Sequence, residues 1–266
     1  MTHISLKVEW PVSIITLHRP PQNRIDDDMV EQFATIIEKI ESSESRAVLL
    51  RAEGPDFSFG GDIMKWPDMS VRQLRTTFDR YLSVFNRFER LPLPVVAAVQ
   101  GLCFGGGLEL AIRADMIIAG ESARFGHPEQ SLGIVTMLGG IYRVAERAGR
   151  NFATEWAMTS HQVPAATMMQ HGVVNRVVPD ASLEEASREA AQQAAKGPTL
   201  AYAAHKALLR IWAESGVAAA DSAMLDIAMP LFISDDVRRG IPSAVNALTA
   251  GTPRPIVDFE GRWTSP

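Results

Sequence analysis

Twice in its first half the chain reads strand, glycine-rich loop, helix, and this repeat restricts the possible folds more than any other feature. In the first passage Ala47-Val48-Leu49-Leu50 runs into Gly54-Pro55-Asp56-Phe57-Ser58-Phe59-Gly60-Gly61-Asp62, followed by an amphipathic stretch from about Val71 to Phe88. In the second, Val95-Val96-Ala97-Ala98-Val99 runs into Gly101-Leu102-Cys103-Phe104-Gly105-Gly106-Gly107 and a short helical stretch, Leu108 to Arg113. A strand that is apolar throughout is buried on both faces, as in a parallel sheet covered by helices. Strand and helix in alternation place the chain in the α/β class.

The flanking text extends the pattern. Ile4 to Val8 and Val12 to Leu17 are β-rich runs split by Trp10-Pro11, which predicts a hairpin. Met29, Phe33, Ile36, Ile37 and Ile40 follow helical spacing behind three aspartates suited to a helix start. Met116 to Ala119 predicts a further strand. Beyond Gly139 the text becomes helical: Ile141 to Ala148, Phe152 to Thr159 and Ala165 to Gln170, then a strand Val173 to Val178. Alanine-rich helices are expected over Leu183 to Ala195, Leu200 to Ser215 and Val217 to Phe232, with another near Val237 to Leu248. The tail from Gly251, with Pro253, Pro255, Trp263 and Pro266, reads as an extended end lying on a surface, of this chain or of a neighbouring subunit.

Composition narrows the functional classes. The 266 residues are 46% hydrophobic and 21% charged, enough apolar material for a sizeable core, so disorder and fibrous folds are excluded. Thirty-one acidic against 26 basic residues leave a net charge of -5 without a basic run, which argues against nucleic acid. The most apolar stretch, Leu93 to Ala119, is interrupted by Glu109, Arg113 and Asp115, and no membrane association is expected. The single cysteine, Cys103, and six scattered histidines offer no metal-ligand spacing. The expectation is a reducing, cytoplasmic location and a site without metal.

Oxygen-stabilising chemistry is the best use of the two loops. Gly60-Gly61 alone is a plain turn, and Gly105-Gly106-Gly107 alone is explained by close helix packing. Together they offer two converging amides, and the second loop opens a helix whose first N–H groups lack partners. Its spacing matches neither the dinucleotide GxGxxG nor a phosphate loop. Glu109 falls three residues after Gly106, in the first helical turn, and Glu129 follows in Phe125-Gly126-His127-Pro128-Glu129. Two carboxylates near such a loop suit general acid–base work if burial separates their pKa values. Rival nucleophiles are weak: Gly120-Glu121-Ser122-Ala123-Arg124 lacks the closing glycine of a nucleophile elbow, Cys103 reads as a packed thiol, and His127 as a structural loop histidine.

In order along the chain, Arg19-Pro20 with Asn23, Phe57 to Ile63, Pro94 to Ala111, Phe125 to Gly133 and Gly172-Val173-Val174-Asn175-Arg176-Val177-Val178 resemble the enoyl-CoA hydratase/isomerase, or crotonase, family. The resemblance implies a spiral of ββα units over residues 1–195 and a C-terminal helical region, 196–266, that builds homotrimers, often paired into hexamers. It implies that the Gly61 and Gly106 amides hold a thioester carbonyl oxygen. Glu109 and Glu129 match the two acidic positions that activate water and deliver a proton to the α-carbon. Phe59, Gly60, Asp62 and Ile63 would line the coenzyme A path, with Arg24 and Lys65 as phosphate contacts. Coenzyme A would be part of the substrate, and no separate cofactor is implied.

The sequence also departs from the family pattern. Phe59 stands where alanine is usual, which reshapes the expected coenzyme A channel, and Thr136 replaces a proline. Arg239-Gly240 stands for Glu-Gly, and Ala247 to Thr252 lacks the expected terminal basic block. The expected reaction is hydration of a trans-2-enoyl-CoA to a 3-hydroxyacyl-CoA. Alternatives on the same fold are double-bond isomerisation, decarboxylation and C–C cleavage of another acyl-CoA. A non-catalytic oligomeric binding protein is the alternative from a different class.

Overall fold

A computed structural model of the chain describes residues 2–261. The two N-terminal runs form β1 (Ile4–Glu9) and β2 (Val12–Leu17), paired antiparallel as the hairpin pattern predicts. Helix α1 (Asp27–Glu41) begins where the Asp26 side chain accepts the Met29 amide. That cap satisfies one of the first-turn donors that an isolated helix leaves open. The helical spacing then turns Met29, Phe33, Ile36, Ile37 and Ile40 inward. β3 (Ala47–Ala52) leads through the first glycine loop and a 3-10 turn over Ile63–Asp68 into α2 (Val71–Glu89), which opens on a reciprocal cap between Ser70 and Gln73.

The second unit repeats the order. β4 (Val95–Val99), β5 (Leu102–Phe104) and α3 (Gly106–Ala111) are followed by β6 (Met116–Gly120) and β7 (Arg124–Gly126). Then come α4 (Gly140–Ala148), α5 (Arg150–Thr159), β8 (Val163–Pro164), α6 (Ala165–Gln170), β9 (Arg176–Val178) and α7 (Leu183–Lys196). One sheet runs β1-β2-β3-β4-β6-β9, parallel from β2 onward, and β5-β7-β8 form a second, smaller sheet.

The large sheet is covered on both faces, which explains its unbroken apolar strands. On one face Val12, Ile14, Leu49, Val96, Ala98 and Ile118 pack with Leu183, Ala191 and Ala195 of α7. On the other, Ile15, Leu17, Leu50, Ala97 and Val99 pack with residues of α1 and α2 such as Phe33, Ile37 and Phe85. Successive residues of a strand alternate between these two layers.

Three details at the second glycine loop and the last strand depart from the sequence reading, besides the unforeseen strands β7 and β8 and the 3-10 turn over Met229–Ile233. β5 was expected as loop; its three residues are too few to show a period, and its pairing with β7 is a tertiary choice. α3 starts at Gly106 rather than Leu108. β9 begins at Arg176 rather than Val173, because the Val173 and Val174 amides donate to the Met168 carbonyl instead of a neighbouring strand.

The C-terminal region comprises α8 (Thr199–Ala228), a 3-10 turn over Met229–Ile233 and α9 (Asp235–Ala250). Gly216, at φ 80° and ψ -179°, leaves helical geometry and divides α8 where the sequence separates Ser215 from Val217. Thr199–Ile233 is long and apolar enough to cross a membrane by length and composition. The break at Gly216 leaves each half short of the roughly 20 residues a span requires. The tail extends along its own chain: Asp236 accepts the Glu260 and Gly261 amides, and Arg46 Nη1 donates to the Gly261 carbonyl at 2.9 Å. Trp263 and Pro266 lie outside the described residues.

Candidate active site

The two glycine loops, far apart in sequence, lie against each other. Ser58 N donates to the Leu102 carbonyl at 3.1 Å and Phe104 N donates to the Ser58 carbonyl at 2.9 Å. Gly60 has a φ of 95°, and a Cβ there would sit 2.9 Å from the Phe104 oxygen and 3.1 Å from the Gly106 nitrogen. Only glycine allows that backbone approach. A Cβ built on Gly106 would in turn lie 3.4 Å from the Gly61 nitrogen, so the two amides are neighbours.

Both amides are available. Ile25 donates to the Gly60 carbonyl and accepts from Asp62 N, each at 2.8 Å, and this pairing on either side of Gly61 turns its own N–H away from Ile25. Gly106 is the first residue of α3, so no intrahelical carbonyl reaches its N–H. Among the described residues neither N–H has a protein acceptor outside its own element.

Glu109, only 2% exposed, stands on α3 beside this loop. Its Oε1 accepts the Leu138 and Gly140 amides, each at 2.8 Å, while Oε2 takes no hydrogen bond from the described residues. Burial pushes its carboxyl above the usual range, opposed by those two amides and by the positive charges of Arg113 and Arg143. Glu129, 9% exposed, sits in the 3-10 turn Pro128–Leu132. Its Oε1 lies 2.9 Å from where a Cβ of Gly105 would stand, and Gly105, at φ 48°, has none. Burial pushes Glu129 up to about 7, partly offset by its own amide and reinforced by the charge of Glu109. Near neutral pH it therefore exchanges a proton readily.

The roles of three residues here were not legible in the sequence. Arg113, which there only interrupted an apolar run, is buried, with Nη1 on the Glu109 carbonyl at 2.5 Å and Nη2 on the Leu138 carbonyl at 2.7 Å. It joins α3 to the loop whose amides hold Glu109. Thr136, in the place of a proline, accepts the Ile141 amide through Oγ1 at 3.1 Å and steadies the start of α4. His127, read as a structural loop histidine, is 2% exposed and neither ring nitrogen has a hydrogen-bond partner. The only advance signal was its position two residues from Glu129.

The remaining predicted residues lie at or near the mouth of the first loop. Phe59 is half-buried, with its ring 5.6 Å from that of Phe104 and under the Arg24 guanidinium at 5.9 Å. Arg24 Nη2 donates to Gln22 Oε1 at 2.8 Å. Asp62 is occupied internally, capping Met64 N and pairing with Arg19 Nη2 at 2.6 Å. Burial raises its pKa, but these contacts outweigh it and hold the carboxyl below its ordinary value. Ile63 and the exposed Lys65 belong to the following 3-10 turn. Cys103 is fully buried and burial pushes its thiol well up, as for a packing residue. Among the described residues, His3, Asp26 and Asp28 form a group with metal-like spacing, but Asp26 is engaged by Met29 N and by Arg19.

The family model described as enoyl-CoA hydratase/isomerase matches residues 8–248. The chain belongs to the enoyl-CoA hydratase/isomerase family. Among its relatives, a short-chain-enoyl-CoA hydratase of Clostridium acetobutylicum is 34% identical over 196 residues, covering 73% of this chain and 75% of that protein. A carnitinyl-CoA dehydratase of Salmonella typhimurium is 35% identical over 212 residues, covering 78% and 80%. The crystal structure of an enoyl-CoA hydratase from Bacillus anthracis superposes with a TM-score of 0.86 at 26% identity, over 97% of this chain and 99% of that one. The fold is therefore that of the crotonases, α/β with a C-terminal helical region, and the chemistry of the family is that of acyl-CoA thioesters.

Proposed function

We propose that the protein hydrates a trans-2-enoyl-CoA to a 3-hydroxyacyl-CoA. The observation that carries this reading is the pair of buried carboxylates in different environments, set beside two free, adjacent amides. Glu109, held by two N–H donors on Oε1, keeps Oε2 for a water molecule and serves as the base that directs it at the β-carbon. Glu129, raised to about 7, serves as the acid that protonates the α-carbon. The Gly61 and Gly106 amides receive the thioester oxygen as it gains enolate character, a contribution of about 3 kcal/mol per donor. Hydration transfers no electrons, so the reading needs no redox cofactor. The hydratase and dehydratase names among the relatives support it, since both reactions move water across a carbon–carbon bond beside a coenzyme A thioester.

Coenzyme A would enter past Phe59, Gly60, Asp62 and Ile63, with Arg24 and Lys65 nearest to its phosphates. The C-terminal region is proposed to assemble the chain with copies of itself, as a homotrimer or a dimer of trimers. Leu209, Trp212, Val217, Leu225, Phe232 and Ile233 are all exposed along one region, which supports an interface there.

The test is the loss of conjugated thioester absorbance on adding crotonyl-CoA. Glu109→Gln and Glu129→Gln should each lower the rate by about 10²–10⁴-fold with the circular dichroism spectrum retained. Near-normal rates in both variants overturn the assignment. Faster turnover of a 3-enoyl-CoA or a β-keto substrate would replace hydration by another reaction of the family.

A further inference from the structure

Three buried side chains at this site leave polar atoms unmatched: Arg113, whose Nε lies 3.9 Å from Glu89 Oε2, and the adjoining pair His127 and Glu129. Both imidazole nitrogens and Glu129 Oε2 lack hydrogen-bond partners, although each is shielded from solvent. Such groups cost stability unless the functional state pairs them. Nδ1 lies 3.8 Å from Oε2, about 1 Å beyond a hydrogen bond. The other edge of the ring packs on Gly140, whose missing side chain makes room for it: a Cβ there would meet His127 Cε1 at 2.4 Å and Glu109 Cγ at 2.9 Å. The imidazole is thus wedged between Glu129 and the segment that anchors Glu109.

We propose that His127 is a positioning residue that closes this gap in solution, with or without substrate, to hydrogen-bond Glu129 Oε2 through Nδ1, and so keeps Glu129 Oε1 directed over the glycine loop. The inference rests on the hydration reading, in which Glu129 is the acid. Burial lowers His127 to about 4, so the ring is neutral and serves either form of its partner. Protonated Glu129 donates to an unprotonated Nδ1, and ionised Glu129 accepts from Nδ1–H in the other tautomer. The proton of the imidazole stays on the ring in both cases, and no bond to carbon is made. Direct contact with substrate is not part of the proposal, because both nitrogens are out of solvent reach. Charged neighbours are few. Glu109 on α3 bears on Glu129, whereas Arg113, just past α3, and Arg143 on α4 bear on Glu109.

The experiment compares the wild type with His127→Leu and His127→Gln. The carboxyl band of Glu129, identified by its loss in Glu129→Gln, is followed against pH by infrared difference spectroscopy of the free protein. Rates with crotonyl-CoA are measured in parallel. A charge-assisted hydrogen bond favours the anion, so His127→Leu should move the Glu129 midpoint up by about one pH unit. It should also lower kcat about tenfold while KM changes less than about threefold. His127→Gln, which can both donate and accept, should restore both readouts. If His127→Leu does not fold, the unbranched His127→Met takes its place. An unchanged Glu129 midpoint, or Leu and Gln variants that behave alike, overturns the proposal. A wild type that hydrates no enoyl-CoA sinks the hydration reading instead, and the spectroscopic arm still decides whether the pair exists.

Discussion

The sheet-bearing region and the C-terminal helices are both rich in apolar residues, yet they treat them in opposite ways. In the first, Phe33 is 2% exposed and its ring lies 5.0 Å from Phe88 and 6.1 Å from Phe85. In the second, Trp212 is 47% exposed and the most apolar 18-residue stretch within Thr199–Ile233 contains no buried residue. α8 is linked to the rest of the protein by polar ties, among them Lys206 Nζ to Asp115 Oδ2 at 2.8 Å and to the Leu93 carbonyl at 3.0 Å. It also borders an open cleft of about 1430 Å³ against α2 and α4, which none of Glu109, Glu129, Gly61 or Gly106 lines. Burial within the chain therefore accounts for the stability and the site of one region, while the other leaves apolar surface exposed.

The sharpest way to break this contrast is a pair of truncations. Phe33→Ala should cost about 3–5 kcal/mol in urea denaturation, whereas Trp212→Ala in dilute, monomeric protein should cost about 0.5 kcal/mol or less. Equal losses would show that α8 is part of the same cooperative core. Sedimentation at higher concentration should show the Trp212 variant self-associating less than the wild type.

A smaller effect separates the site from its scaffold. Ionising Glu129 is opposed by burial, and its folded pKa of about 7 exceeds the ordinary 4.5. Between those values the folded state holds more protons than the unfolded one, so this group makes the protein less stable as pH rises from 4.5 through 7. His127, lowered to about 4 from 6.5, has the opposite slope and gains stability as pH rises through that window. The two partly cancel in the wild type. Glu129→Gln should therefore be more stable than the wild type at pH 8, by up to roughly 3 kcal/mol, with the difference vanishing near pH 4. Thermal melts at both pH values test this, and an equal gain at each would assign it to packing. A smaller effect than that of Glu129→Gln belongs to Thr136→Val, which removes the acceptor of the Ile141 amide and should cost about 1 kcal/mol in urea denaturation.

Much of the fold was legible because its signals are local. The helical spacing of Met29, Phe33, Ile36 and Ile40 and the unbroken runs of β3, β4 and β6 identify elements whose burial follows directly. Gly216 marks the division of α8 because a positive φ is a property of one residue. The site was legible as residue types, two glycine loops and two glutamates, and less so as partners. No period in the sequence announces that Leu138 and Gly140 hold Glu109, or that Arg113 ties that loop to α3. β5 escaped notice for the same reason, since three residues acquire their strand character from β7.

By itself, then, the sequence determined the α/β class, the glycine loops and the family, because propensity, periodicity and motif order act over short stretches of chain. Only the tertiary structure decided that the Gly61 and Gly106 amides are neighbours and that Glu129 is held near neutrality. It also showed that His127 stands unpartnered beside Glu129. Those properties depend on which distant segments exclude water from the same small volume, and desolvation is set by the whole surrounding shell rather than by any neighbour in sequence.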